Sequence, residues 1–494
     1  MKRFLAPALL RLTLALALAA APAAATWSVV IVNRATGEVA LGQATCIVGP
    51  DLQAQLAVVV PGVGGACVQA WWDFNGQRRE LIWNELQAGT APRRIVALLN
   101  ALPNPQIYQF GIADLDQAAT FTGSSAQDWA GGVSGTVGDI SYAIQGNVLA
   151  GEAVVRNAEL ALLSEPGDTA KKLMAAMLAA AQTGGDGRCS CSSSDPDSCG
   201  APPPGFDLRT AKSAHTAFVL VSRVGDAPGT CGSGSGCANG EYYMDFRTLG
   251  HTGLPDPIVE LRLEVLAWRA AQIGRPDHIQ SRKRALPGVV PGDGQTSSAL
   301  RIALRDIQGR PLLHGGAAID VRHAPGSAGL ATFGGVQDHG DGTYSVRLTA
   351  GAGVGTDAFE VVADDGAGAV LLYPYPTLVH AEPTAMSGGG TRPAPERFRR
   401  RLADLAPAAA APFADGQRCA GGLRAIGLLA FRPGRPPAQE EGGTLCGASS
   451  PRAGSEAETP PLLGVTSGAG DAMIGSCPSS ESARPPADCA RRTD

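Results

Sequence analysis

The length and composition of the chain indicate a folded protein with more than one domain. Its 494 residues, 44% of them hydrophobic, are enough for about two or three separate cores, and 64 glycines with 5% aromatic residues favour glycine-rich loops over aromatic clusters. A formal net charge of −5 excludes a global electrostatic attraction to nucleic acid or to an anionic membrane.

The first 25 residues have the layout of a secretory signal peptide. A positively charged start precedes an apolar stretch from Phe4 to Ala20, and three consecutive alanines end at Ala25. An uncleaved membrane anchor is the alternative, but Arg11 and Pro22 leave an apolar run too short to span a bilayer comfortably. We therefore predict a secreted or periplasmic protein that has no membrane span after cleavage.

Residues 26–270 alternate between strand and helix patterns and are predicted to form one domain. A run rich in β-branched residues from Thr26 to Val32, and a second run from Glu38 to Thr45, predict a hairpin at the mature N-terminus. Capping residues and apolar periodicity predict the other elements: helices from Pro92, over 152–163, over 168–182 and from Asp256-Pro257, and a strand over 216–221. This mixture predicts layers of both sheet and helix.

Two cysteine-rich stretches interrupt this domain, at residues 188–205 and 229–237. Both lack hydrophobic periodicity, so we predict surface loops held by disulfides, which persist outside the reducing cytosol. Zinc bound by the thiolates of Cys189 and Cys191 is the alternative, and it would make the chain a structural metal protein. Disulfides are favoured for an exported chain, and we predict no metal and no cofactor.

Two further stretches are predicted to lack regular structure. Residues 271–295 are rich in proline, glycine and polar residues and are predicted to be a linker, in which Arg282-Lys283-Arg284 is a solvated charge group rather than a nucleic-acid patch. Residues 383–494 are rich in proline, glycine and alanine and are predicted to be a low-complexity, largely disordered tail.

Residues 296–382 show the period-two alternation of an all-β sandwich, for example at Leu300/Ile302/Leu304. The stretch "DHGDGTYSVRLTAGAGVGTDAFEVVADDG" resembles the immunoglobulin-like domains of bacterial surface proteins and filamins. This resemblance implies binding to a cell-envelope or surface polymer. Asp338 and Asp341 could contact calcium, but turn-forming carboxylates are the favoured interpretation.

The chain lacks the usual catalytic motifs, but its predicted mature N-terminus has a chemistry of its own. All seven histidines lie at His215 or later, so no Ser-His-Asp arrangement is evident in the first half, and no HExxH or Walker motif occurs. Cleavage after Ala25 would free the α-amine of Thr26, whose pKa of roughly 7.7–8.0 would let it accept the proton of its own hydroxyl.

Several segments resemble the bacterial family called domain of unknown function 1028. They are "TWSVVIVNRATGEVALGQATC", "PGVGGACVQAWW", "YQFGIADLDQAATFTG", "YAIQGNVLAG" and "YYMDFRTLGHTGLPDPIVELRLEVL", in this order over about residues 26–269. The family is grouped with the N-terminal-nucleophile hydrolases, so the resemblance implies an α+β fold, a four-layer αββα sandwich, followed here by the immunoglobulin-like sandwich.

The resemblance also implies roles for individual residues. Thr26 would be the nucleophile, Asn147 would point its amide at the oxyanion, and Gln145 would support it. A structural turn at Gln145–Asn147 before the helix at 152 is an equal alternative. Asp73 and Asp245 are candidate substrate-binding residues, although capping or solvated carboxylates are more common, and Thr122 could simply end a strand.

One position departs from the pattern of the family. Cys46 stands where many relatives have a lysine that tunes the proton affinity of the nucleophile. Cysteine cannot supply that positive charge, and Cys46 could instead pair with Cys67 if their strands are adjacent.

Two functions are therefore weighed. The first is an exported amide-bond hydrolase that acts on a small-molecule or peptide-like amide and is activated by removal of the signal peptide. The alternative is a non-catalytic extracellular or surface binding protein on the same scaffold. The cleavage position separates the two, because a cut after Ala23 would leave Ala24-Ala25 ahead of Thr26 and block its amine.

Overall fold

The computed structural model describes residues 26–127, 129–192, 198–200, 203–232 and 234–383, which fall in one compact unit of the chain. The predicted signal peptide and the predicted tail from residue 384 onward lie outside the described residues. Within the described part, no helix has both the length and the apolar character needed to cross a membrane.

The N-terminal part contains ten strands and seven α-helices among its described residues. The strands are β1 (Thr26–Asn33), β2 (Glu38–Thr45), β3 (Ala57–Val60), β4 (Gly64–Gln69), β5 (Gln109–Asp114), β6 (Ala118–Thr122), β7 (Gly131–Val137), β8 (Ile140–Asn147), β9 (Thr216–Ser222) and β10 (Met244–Thr248). The helices are α1 (Leu52–Leu56), α2 (Gln77–Gln87), α3 (Pro92–Asn100), α4 (Glu152–Ser164), α5 (Thr169–Gln182), α6 (Gly187–Ser190) and α7 (Pro257–Ala271).

The strands form two antiparallel sheets that share a buried layer. The larger sheet has the order β10-β9-β2-β1-β8-β7, and the smaller has the order β3-β4-β5-β6. Val30, Val32 and Leu41 of the larger sheet pack with Leu56 and Val59 between the sheets. Because side chains alternate along a strand, every second residue of β1 faces this layer and the others face away from it.

Helices cover the outer faces of both sheets. Val29 and Ile31 of β1 pack in one core with residues of α4, α5 and α7. Helices α2 and α3 contribute Ile82 and Ile95 to the core on the outer face of the smaller sheet. The predicted cap at Asp256 is confirmed, since its side chain accepts a hydrogen bond from the Ile258 amide at the start of α7.

Disulfides hold the cysteine-rich segments and correct one predicted pairing. Cys191 pairs with Cys199 and Cys231 with Cys237, so the disulfide interpretation is confirmed. Cys46, however, pairs with Cys189 at a Cα distance of 5.6 Å, and not with Cys67. Cys67 lies in β4 with its thiol in the layer between the sheets, whereas Cys46 lies beyond the end of β2 and meets the insertion. Burial raises the pKa of the Cys67 thiol well above its ordinary value.

A β-sandwich follows the N-terminal part. Its strands are β11 (Arg282–Leu286), β12 (Val289–Pro291), β13 (Ser297–Ala303), β14 (Ala318–His323), β15 (Thr332–Asp338), β16 (Thr343–Thr349), β17 (Gly355–Asp364), β18 (Ala369–Leu372) and β19 (Thr377–Ala381). One sheet has the order β11-β13-β16-β15, and the other has the order β12-β19-β17-β14 with β18 beside β17. Leu300, Tyr344 and Phe359 pack in the shared core.

The segment predicted as a linker, residues 271–295, in fact supplies the first two strands of the sandwich. Ala285 and Val290 are the buried residues of these two strands, so the apolar alternation is too short to be visible in the sequence. Lys283 also points inward, where its Nζ donates to the Tyr373 carbonyl at 2.6 Å, and burial lowers its pKa to about 8. The interpretation of Arg282-Lys283-Arg284 as a solvated linker is therefore wrong for Lys283.

The turn carboxylates of the sandwich have protein partners. Asp341 accepts hydrogen bonds from the amide and hydroxyl of Thr343, and Asp338 accepts from the amides of Gly316 and Gly340. These contacts agree with the turn interpretation.

Two buried ion pairs that share Arg223 join the N-terminal part to the sandwich. Arg223, just after β9, donates to Glu38 at 3.0 Å and to Asp277 at 3.3 Å, and its guanidinium stacks on the Tyr243 ring at 3.3 Å. All three charged side chains are nearly inaccessible to solvent. The contact between the two parts is therefore specific and desolvated.

Candidate functional site

Thr26 is the first residue of β1, which lies inside the larger sheet between β2 and β8. It is buried, and its Cα partner across β8 is Asn147, the last residue of that strand. Residues directly opposite each other in an antiparallel pair have side chains on the same face. Thr26 and Asn147 therefore both face the layer between the sheets, as do Val30 and Ala143 farther along their strands.

The layer between the sheets is apolar along most of β1 and becomes polar at the Thr26 end. The polar members from the larger sheet share that face by strand alternation, and all are buried: Thr26, Ser28, Gln43, Thr45, Gln145 and Asn147. We call these six residues together with Gln69 and Gln109 of the smaller sheet the polar cluster. A fully buried polar cluster in this position requires internal hydrogen-bond partners or a bound ligand or water.

A chain of amides fixes the backbone of Thr26 within the polar cluster. The Nε2 of Gln69 donates to the Thr26 carbonyl at 2.7 Å and to the Oε1 of Gln109 at 3.0 Å. The Nε2 of Gln109 donates in turn to the Gly146 carbonyl at 2.8 Å and to the Thr122 hydroxyl at 3.0 Å. Thr122 is the last residue of β6, which agrees with the interpretation that it ends a strand. Its hydroxyl also accepts a hydrogen bond from this series of amides.

Asn147 is buried, yet neither polar atom of its side chain has a hydrogen-bond partner among the described residues. Gln145 donates from Nε2 to the Cys67 carbonyl at 3.2 Å, while its Oε1 is unpaired within the described part. Leaving a buried amide unpaired costs about 1–3 kcal/mol. An unpaired amide that a native protein retains therefore indicates a bound water, a ligand or a catalytic role at that position.

The alternative of a structural turn at Gln145–Asn147 is wrong, because all three residues belong to β8. The chain turns only at Val148, which has a φ of 52°. Gly146 is needed for close packing, since a Cβ at this position would lie 2.5 Å from Leu149 Cδ1. The glycine in "QGN" thus lets the strand approach the following turn, while the two amides flank it in the polar cluster.

Two charged residues, Asp186 and Arg188, lie at the end of β2. The sequence did not reveal them as candidate site residues. The buried carboxylate of Asp186 accepts from the Cys46 amide at 2.7 Å and from Arg188 Nη2 at 2.7 Å. Arg188 Nη2 also donates to the Thr45 hydroxyl at 3.3 Å. In the sequence, Asp186 and Arg188 stand in the passage "GGDGRC", at the start of the cysteine-rich stretch that we predicted to be a surface loop.

The disulfide between Cys46 and Cys189 holds the segment with Asp186 and Arg188 at the end of β2. His215 lies beside it, with its Nδ1 3.6 Å from Cys46 Sγ and 3.0 Å from the Cys46 carbonyl oxygen. Cys46, Cys189 and His215 have the spacing of metal ligands, and no other such group occurs among the described residues. Both sulfurs are engaged in the disulfide, so neither is available as a thiolate ligand.

The carboxylate of Asp73 has several protein partners. It accepts from the amides of Arg78 and Arg79 at 3.1 Å each, and it forms an ion pair with Arg79 Nε at 3.5 Å. This is the geometry of a carboxylate at the start of a helix, here α2. A substrate contact for Asp73 stays a prediction.

Asp245 is remote from Thr26 in the larger sheet. It pairs with Leu220, which pairs with Leu41, which pairs with Val30. Asp245 is thus three strands, or about 14 Å, across the sheet from β1, and level with Val30 rather than with Thr26. Its carboxylate accepts from Gln53 Nε2 at 2.8 Å. The structure does not bring this candidate to the polar cluster, and its substrate contact also stays a prediction.

The comparisons with known proteins identify both parts of the chain. The model of the family of unknown function DUF1028 matches residues 26–194, and that of invasin, domain 3, matches residues 277–369. No curated protein matches the chain. Both resemblances seen in the sequence are confirmed, and the chain carries a DUF1028 region followed by an immunoglobulin-like domain of the invasin type.

Solved structures show similarity to both parts of the chain. A DUF1028 protein from Silicibacter pomeroyi is 20% identical, with a TM-score of 0.36, over 50% of this chain and 94% of that protein. InvD from Yersinia pseudotuberculosis is 24% identical over 21% of this chain, with a TM-score of 0.18. Invasin, a bacterial integrin-binding protein, is 19% identical over 34% of this chain, with a TM-score of 0.17. This chain covers only 27% of InvD and 25% of invasin.

Proposed function

We propose that residues 26–270 form an exported amide-bond hydrolase of the N-terminal-nucleophile type, activated when cleavage after Ala25 frees the Thr26 amine. Two stacked sheets with helices on their outer faces are compatible with the αββα sandwich of that superfamily. The observation that carries the proposal is the buried amide of Asn147, which lies directly opposite Thr26 and has no hydrogen-bond partner within the described part of the chain. A nucleophile and an oxyanion donor need this kind of juxtaposition.

The reaction follows from the terminal residue. The free α-amine accepts the hydroxyl proton while Thr26 Oγ1 bonds to the substrate carbonyl carbon. The carbonyl oxygen becomes an oxyanion, to which Asn147 Nδ2 donates. The amine then returns the proton to the leaving nitrogen as the C–N bond breaks, and water hydrolyses the resulting ester. Gln69, which holds the Thr26 carbonyl, keeps the nucleophile from rotating away.

Arg188 brings a guanidinium to the end of β2, where it compensates the buried carboxylate of Asp186. Its guanidinium contacts Thr45 at the end of β2, the strand beside β1. Without this compensation, the negative charge of Asp186 would stabilise the ammonium form of the Thr26 amine. The guanidinium therefore keeps the amine pKa lower and enlarges the fraction that acts as a base. The cysteine at position 46 then has a different function, which is to tie the segment carrying Arg188 to the site through Cys189.

The second candidate function is binding at the cell surface. The match to invasin, domain 3, supports an extracellular or surface location and an adhesin-type role for the sandwich. In this case the N-terminal part is a scaffold without turnover. The two candidates are compatible if the sandwich places the hydrolase on its substrate.

The mature N-terminus and a matched pair of variants test the catalytic proposal. Mass spectrometry of the secreted protein should give a chain that begins at Thr26, and this chain should hydrolyse members of a panel of amides, acyl amino acids and peptidoglycan fragments. Thr26→Ala should abolish turnover, whereas Thr136→Ala, an exposed threonine of β7, should retain it. A mature chain that begins at Ala24, or equal turnover by both variants, would refute the nucleophile.

A further inference from the structure

The outer face of the first sandwich sheet carries a concentration of positive charge. Alternate residues of β11, β13 and β16, such as Ala285, Leu300 and Val346, are buried in the sandwich core. The side chains between them point outward and include exposed arginines, which we call the arginine face: Arg282, Arg284, Arg301 and Arg347.

The register of the strands brings these charges together. Arg284 and Arg301 are direct Cα partners across β11 and β13. Arg347 pairs with Ala299, two residues from Arg301, and is therefore its diagonal neighbour. Like charges directly opposite each other destabilise a sheet. Their presence here costs stability, so the arrangement calls for a reason outside the fold of the sandwich.

Counterions for these charges are missing in the described part of the chain. The arginine ion pairs of the sandwich join Arg275 to Asp365 and Arg322 to Glu360, and no described carboxylate lies within ion-pair distance of the arginine face. Arg347 donates to the Ser297 hydroxyl at 2.9 Å, which leaves its charge unneutralised. The face is positive although the whole chain has a net charge of −5.

A depression of about 660 Å³ lies on this face. Arg282, Arg284 and Arg301 line it together with uncharged polar side chains, among them Gln337 and Ser345. The Oγ of Ser345 is 3.0 Å from His339 Nε2, so the depression also offers neutral hydrogen-bonding groups. It therefore combines guanidinium groups with neutral polar side chains over several strands.

We propose that the arginine face binds an anionic polysaccharide, whose carboxylate or sulfate groups meet the guanidinium groups and whose hydroxyls meet Gln337, His339 and Ser345. The planar guanidinium binds oxyanions through paired hydrogen bonds, and Arg282 and Arg284 lie about 7 Å apart along β11, a spacing suited to repeated charges. The depression has no exposed aromatic ring for base stacking, because Tyr344 is buried, and four charges neutralise few phosphates of a duplex.

This inference rests on the surface location in the proposed function and is independent of the chemistry at Thr26. It is tested with the secreted full-length protein by biolayer interferometry against immobilised dextran sulfate, polygalacturonate and uncharged dextran. The two anionic polymers should bind, uncharged dextran should not, and binding should weaken as salt rises. Arg284→Ser with Arg301→Ser should lower the affinity by about tenfold or more.

The matched control is Arg93→Ser with Arg94→Ser, which removes the same charge from exposed positions of α3 and should leave the affinity within about twofold. The Arg284/Arg301 double variant should also melt at the same or a higher temperature, since a like-charge pair is lost. Equal losses in both double variants, no binding to either anionic polymer, or tighter binding to duplex DNA would overturn the proposal. Thr26→Ala should bind like the unmodified protein, so that failure of catalysis and failure of binding are distinguishable.

Discussion

Thr26 and Asn147 lie directly opposite each other at the ends of β1 and β8, on the face of the larger sheet that meets the smaller sheet. The hydroxyl and the amide thus project into the same buried layer, where Gln69 also holds the Thr26 carbonyl. Strand pairing rather than a flexible loop sets their separation, which is the rigidity that a preorganised site needs.

Asn147→Ala should separate activity from stability. Loss of one oxyanion donor should lower kcat on the amide substrate about 100–1000-fold with little change in KM. The unpaired buried amide is removed at the same time, so the unfolding free energy from urea titration should stay constant or rise. A purely structural role for Asn147 would instead reduce stability together with activity.

Arg188→Gln should move the acidic limb of the pH profile of kcat/KM. Without the guanidinium, the Thr26 amine should hold its proton more tightly, so half-maximal activity should shift upward by about one pH unit. Arg188→Lys should restore most of the original profile because it keeps the charge. Arg209→Gln is the control, since Arg209 is exposed and pairs with Asp207. An unshifted profile in Arg188→Gln would contradict the electrostatic role.

The disulfides should differ in how much they stabilise the fold. Cys46 and Cys189 are 143 residues apart, so in the chain-entropy model replacing both by alanine should lower the unfolding free energy by about 5 kcal/mol. Cys231 and Cys237 are 6 residues apart, and the same replacement there should cost about 2 kcal/mol. Urea titration of the two double variants measures the difference. Equal costs would mean that the insertion adds no constraint to the N-terminal part.

His278 should make the protein sensitive to acid. It is 3% exposed and stacks on Tyr373 with ring centroids 5.8 Å apart, and burial, followed by the charge of Arg223, lowers its pKa to about 3. Between that pKa and the unfolded value of about 6.5, the unfolded chain binds the extra proton, so stability falls as pH falls.

The expected contribution of His278 is about 1.4 kcal/mol for each pH unit over most of this window. His278→Phe keeps a ring against Tyr373 and cannot titrate. Its unfolding free energy, measured by urea titration at several values between pH 7 and pH 4, should fall less steeply than that of the unmodified protein. Parallel slopes would show that carboxylates alone cause the acid sensitivity.

Elements with strong local signals could be predicted from the sequence. The β-branched run from Thr26 and the capping residues Asp168 and Asp256 define a strand and two helices through contacts within a few residues. Strands β11 and β12 could not be predicted because each is a short edge strand that pairs with one other strand. Their own residues show little alternation of apolar and polar side chains. The partner of Cys46 was missed because 143 residues separate it from Cys189.

The sequence by itself determined the local elements, the two family resemblances and the candidate terminal nucleophile, because each of these depends on neighbouring residues or on an ordered set of motifs. Only the tertiary structure decided which side chains meet. Pairing of β1 with β8 put Asn147 opposite Thr26, the disulfide of Cys46 brought Arg188 to Thr45, and sheet register aligned Arg284 with Arg301. These contacts join residues far apart in the chain, and local propensity carries no information about them.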